Sequence, residues 1–96
     1  MGIAELLSGK REQILTTVAK HGARKVRVFG SVARGDAGPS SDVDFLVDMS
    51  KDHSLMERAA LLVDLEGLLG RPVDVVTPRS LRPGMRARVL KEAVLL

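Results

Sequence analysis

The chain has 96 residues, 45% hydrophobic and 28% charged, with a formal net charge of +3 and no cysteine. That length fits one domain over residues 1–96 with one modest core, and a disulfide framework is excluded. No apolar run approaches the roughly 18 residues of a membrane span, and no basic region followed by an apolar one opens the sequence, so a soluble, cytoplasmic protein is expected. Two Phe with no Trp or Tyr leave no platform for stacking bases, which argues against a nucleic-acid partner despite a pI near 9.8.

Before Gly22 the apolar positions Ile3 and Leu7, then Ile14 and Val18, fall near one helical face. Gly9 separates two helical pieces; Ser8 is the expected N-cap of the second and Gly22 its terminator. Residues 25–29, KVRVF, alternate polar and β-branched positions as a half-buried strand does, and the strand stops at Gly30. The following SVARGDAGPSS predicts one or two helical turns from Ser31 and then a loop. A second strand over residues 43–47 places Val43, Phe45 and Val47 on one face, and Asp42, Asp44, Leu46 and Asp48 on the other.

Ser54-Leu55-Met56-Glu57 has the form of a capping box, and Ala59, Leu62, Val63, Leu65 and Leu69 follow at helical spacing until Gly70 and Pro72. Residues 72–77, PVDVVT, predict a third strand with Asp74 facing away from Val73 and Val75. A last helix begins after Pro83 and runs through MRARVLKEAVLL, with Met85, Val89 and Ala93 inward and Arg86, Arg88 and Lys91 mostly outward. The expected fold is α/β (α+β): a small mixed sheet of about three to four strands with helices mainly on one face, leaving the other for the aspartates.

A strand that ends at Gly30 and turns into a helix at Ser31 directs backbone N–H groups and a hydroxyl at an anion, and Gly30 lets a phosphate approach the backbone. Asp42 and Asp44 are close enough to repel by about 4 kcal/mol at 4 Å and a dielectric near 20, so they must be solvated, protonated or neutralised by a cation. Mg²⁺ takes carboxylate and phosphate oxygens, and Asp74 on an adjacent strand would add a third ligand. Two metal ions could then clamp the attacking and leaving oxygens of a displacement at phosphorus. Taken singly, each residue has a plainer explanation: Asp42 in a turn, Asp74 on a solvated edge, Gly30-Ser31 at an ordinary junction. Together at fixed spacing they arise by chance on the order of once in a thousand chains of this size.

Gly30-Ser31, ten intervening residues and Asp42-Val43-Asp44 match the GSx10DxD signature of the DNA polymerase beta-like nucleotidyltransferase superfamily. FGSVARGDAGPSSDVDFLVD, LEGLLGRPVDVVTP and LKEAVLL further resemble its minimal nucleotidyltransferases, over residue 10 to the C-terminus. The resemblance implies a small palm-like domain that acts as the antitoxin of a HEPN-type toxin in a hetero-oligomer. It would transfer AMP from ATP to a hydroxyl of that partner. It also implies that Gly30 and Ser31 hold the terminal phosphates, that Asp42 and Asp44 bind Mg²⁺, and that Asp74 completes the metal site and helps deprotonate the acceptor. Arg34 either steadies a phosphate or braces the loop through Asp36, with the brace slightly favoured. The alternative is a non-catalytic antitoxin that masks its partner and retains a residual nucleotide site. The basic stretch Arg79, Arg82, Arg86, Arg88 and Lys91 is expected to be a solvated face.

Overall fold

A computed structural model describes residues 2–96. Two helices, α1 (Ile3–Leu6) and α2 (Arg11–Lys20), lead into β1 (Arg24–Phe29), the short α3 (Gly30–Arg34) and β2 (Val43–Asp48). Helix α4 (Leu55–Leu69) then crosses over to β3 (Val73–Val76), and a 3-10 turn (Pro78–Ser80), α5 (Pro83–Glu92) and β4 (Val94–Leu95) complete the order. The four strands form one sheet in the order β3-β2-β1-β4. β2 runs parallel to β3, and β1 runs antiparallel to both β2 and β4. A helical crossover is what a parallel pair requires, and α4 supplies it.

Local chemistry accounts for the element ends. The Ser54 hydroxyl accepts from the Glu57 N–H at 3.1 Å and starts α4, which Gly70 ends in a left-handed conformation. The start of α2 departs from expectation: its N-cap is Lys10, not Ser8. Ser8 is consumed in closing α1, its N–H donating to the Glu5 carbonyl, and the first α2 bond runs from Ile14 N–H to the Lys10 carbonyl. Gly9, at φ +71°, makes the break between the two helices. Along β1 the pairing register slips between Arg24 and Arg27, where Lys25 takes φ +52°, so regular alternation begins only at Val26.

The main core lies on one face of the sheet. Ile14 and Val18 of α2 and Leu61 and Leu65 of α4 pack there against Val28, Val43, Phe45 and Val47. The opposite face is less open than the strand pattern suggests. Leu46 is fully buried there beneath Leu81 and Val89, with Phe29, Val76 and Ala93 around them. The 3-10 turn and α5 thus cover the lower part of the aspartate-bearing face, because a bare Leu on it could not stay in water without cost. Met85, expected inward, is exposed at 42%, and the last helix stops at Glu92. Ala93 turns extended, and Val94 and Leu95 pair with Val28 and Arg27.

Candidate active site

The sheet register builds the site. Phe29, the last residue of β1, sits opposite Asp44, and Asp44 sits opposite Asp74. The end of β1, the start of β2 and the start of β3 therefore meet side by side, with both carboxylates on the face away from the main core. Asp42 precedes β2 and is exposed, as is Asp74, whereas Asp44 is half-buried between them. Gly30 takes φ +73°, and a side chain there would run into the Asp44 carboxylate. The glycine is thus needed twice, for its backbone angle and for the approach of that carboxylate.

The electrostatics follow from this packing. Burial, reinforced by the charges of Asp74 and Asp42, pushes the Asp44 carboxyl up from the usual 3.8 to about 6, with Arg34 opposing the rise. A carboxylate held in that state gains from a cation. Among the described residues, no group of three or more acidic or histidine side chains forms a ready-made cage. Mg²⁺ does not need one, since it is usually held by one or two carboxylates together with substrate phosphates. The hard oxygen donors of the Asp44–Asp74 pair, with Asp42 beside them, fit that role.

Ser31 lies in the first turn of α3, and its carbonyl accepts from the Asp36 N–H at 3.0 Å to close the loop behind it. Gly35, at φ +82°, ends the helix. Arg34 makes two ion pairs: a longer one with Asp36 at 3.4 Å, and a shorter one between its Nη1 and Glu92 Oε1 at 2.8 Å. The Asp36 brace expected from the sequence is present but is the weaker of the two by distance. Asp48, on the same face of β2, pairs with Arg27 at 3.8 Å, away from the pair of aspartates.

Glu92 was not singled out by its sequence. Its Oε2 accepts the Gly30 N–H at 3.1 Å while Oε1 holds Arg34. Those two hydrogen bonds, the Arg34 one above all, hold the Glu92 carboxyl below its ordinary range, so it is ionised at neutral pH. The available signal was its place three residues after Val89 and one before Ala93, an acid on the inward side of the last helix.

Beside Asp74 runs a groove of about 450 Å³, walled by Leu55, Arg58 and Leu62 of α4, by Val75 and Val76 of β3, and by Ser80. β3 is an edge strand. The Val73 N–H is taken by Glu66 at 3.1 Å and the Thr77 N–H by Ser80 at 3.1 Å, which closes both ends of the edge and leaves Val75 between them.

Residues 11–96 match the family model described as nucleotidyltransferase domain. The chain belongs to that family. It is similar to the protein adenylyltransferase MntA of Thermococcus cleftensis, at 44% identity over 88 residues, covering 86% of this chain and 89% of the relative. A solved structure described as a minimal nucleotidyltransferase is 49% identical with a TM-score of 0.86, covering 100% of this chain and 97% of that one. A chain in a toxin–antitoxin crystal structure with AMP-PNP shares the fold, with a TM-score of 0.77 at 22% identity over 88% of this chain and 69% of its own length. The protein is therefore an enzyme of the nucleotidyltransferase class, built on that family's mixed sheet. Among the described residues no helix is long and apolar enough to cross a membrane.

Proposed function

We propose that this nucleotidyltransferase transfers AMP from Mg·ATP to a hydroxyl of a HEPN-type toxin, and so serves as that toxin's antitoxin. The observation that carries the reading is the lateral pairing of Asp44 with Asp74 beside Gly30. It sets two acidic groups next to a glycine-lined turn on one sheet face, as phosphoryl chemistry with a charged nucleotide requires. The adenylyltransferase name of the Thermococcus relative and the toxin–antitoxin setting of a fold neighbour support the acceptor and the partner.

In this reading Gly30 and Ser31 receive the terminal phosphates, and Asp42, Asp44 and Asp74 hold the metal. Bound Mg²⁺ would neutralise charge on the phosphate oxygens and orient the triphosphate. The acceptor oxygen forms a bond to the α-phosphorus, the bond from that phosphorus to the bridging oxygen breaks, and pyrophosphate leaves. Asp74, exposed at the edge, takes the acceptor proton. The groove along β3 is where the acceptor segment lies, because it leads to Asp74 and the Val75 edge can pair with an extended chain.

Intact-mass analysis of a HEPN-type partner protein, after incubation with this protein, ATP and Mg²⁺, tests this. A gain of one or more AMP units that is lost with Asp44→Asn and with Asp74→Asn is expected. Neutralisation of the toxin without any change in its mass would sink the proposal in favour of masking.

A further inference from the structure

Glu92 lies on the two groups of the β1–α3 junction best suited to hold an anion. One oxygen accepts the Gly30 N–H at 3.1 Å and the other takes Arg34 Nη1 at 2.8 Å. The carboxylate therefore has the hydrogen-bonding pattern that a phosphate oxygen pair would have at the same place. It also adds its own negative charge to the surroundings of Asp44.

We infer that Glu92 is an internal occupant of the phosphate seat, which the terminal phosphates of the nucleotide displace. The inference rests on the nucleotide reading proposed above. Three features support displacement over permanent bracing. The Arg34 and Glu92 side chains are 52% and 26% exposed, so water and salt weaken their pair and a multiply charged polyphosphate outcompetes it. A triphosphate on the Gly30 N–H would bring like charges together unless Glu92 withdrew. Glu92 is also the last residue of α5, directly before the extended Ala93, so its side chain can swing outward without breaking a helix interior.

With the acid in place the seat is shielded until a ligand of higher charge arrives. A single carboxylate or inorganic phosphate then gains little by binding, whereas a nucleoside triphosphate gains much. Glu92 would thus tune both affinity and selectivity for polyphosphate while touching no reacting atom.

The test is titration calorimetry of Mg·ATP into the wild-type chain, Glu92→Gln and Glu92→Ala, with steady-state kinetics beside it. Losing an exposed competing pair should tighten ATP binding about threefold to fivefold, lowering KM with kcat unchanged. Unchanged or weaker binding in the variants would show that Glu92 braces Arg34 for the nucleotide, and would overturn the inference. Failure of the wild-type chain itself to bind ATP would remove the nucleotide reading and this inference with it. If both variants fail to fold, the side-chain carboxyl resonance of Glu92 in the wild-type protein still decides: it should shift on adding Mg·ATP, and an unmoved resonance refutes displacement.

Discussion

Replacing Asp44 by Asn should stabilise the ligand-free protein at neutral pH, although it removes a carboxylate from the heart of the site. In the folded chain the Asp44 carboxyl titrates near 6 and not at the usual 3.8, chiefly because it is buried and then because Asp74 and Asp42 lie close. The folded state therefore binds that proton more tightly than the unfolded state does. Its contribution to stability is complete below about pH 4 and is lost as the pH rises through about 6. At about 1.36 kcal/mol per unit the shift corresponds to about 3 kcal/mol, and partial contact with water reduces this to about 1–2. For a chain of this size that is a gain of roughly 5–15 °C in Tm at pH 7.5 for the neutral isostere. Thermal melts of both proteins in chelator at pH 4 and pH 7.5 measure it. The Tm difference should be small at the acid end and favour Asp44→Asn at the upper end. A difference that does not change with pH, or a wild-type chain more stable at pH 7.5, would refute the account of Asp44 as an uncompensated charge. Adding Mg²⁺ should raise the wild-type Tm and leave the variant's almost unmoved.

Gly30→Ala should both unsettle the fold and disable transfer. The left-handed angle costs about 1–2 kcal/mol for an L residue, and the new methyl forces the Asp44 carboxylate aside; a urea melt and an AMP-transfer assay read the two effects. Leu46→Ala removes the fully buried residue that seats the 3-10 turn and α5 on the aspartate face, and should cost about 2–5 kcal/mol in urea unfolding. Ser54→Ala loses the cap of α4 and should cost about 1 kcal/mol with transfer activity unchanged, since the residue lies outside the site; the urea midpoint and the transfer rate check both halves.

The strands that carry the aspartates were legible because their signal is local. In Val43–Asp48 and Val73–Val76 a period of two assigns Asp44 and Asp74 to the face opposite Phe45 and Val75, and the register agrees by setting them side by side. The α4 cap was legible for the same reason, since Ser54 and the Glu57 N–H lie three residues apart. What escaped depends on distant partners or on very short elements. A two-residue strand such as Val94–Leu95 has no period to detect, and only β1 gives it a place. Ser8 looks like a cap until the closing turn of α1 claims it.

Leu46 and Glu92 show how one strand face can serve two ends. Alternation put Leu46 among the acids of β2, where an apolar side chain had no evident reason to be. The structure supplies the reason: Leu46 is the floor on which Leu81 and Val89 rest, and that contact seats α5 against the sheet. One turn beyond Val89, the same helix face brings Glu92 to Gly30 and Arg34. The apolar residue on the polar face is thus the lever that positions a carboxylate 62 residues away in sequence from the glycine it contacts. Weakening that floor should therefore perturb nucleotide affinity as well as stability. A milder Leu46→Val change, costing about 1 kcal/mol, should shift the Kd for Mg·ATP in the wild-type background but not when Glu92 is already Ala. Equal shifts in both backgrounds would disconnect α5 seating from the proposed phosphate seat.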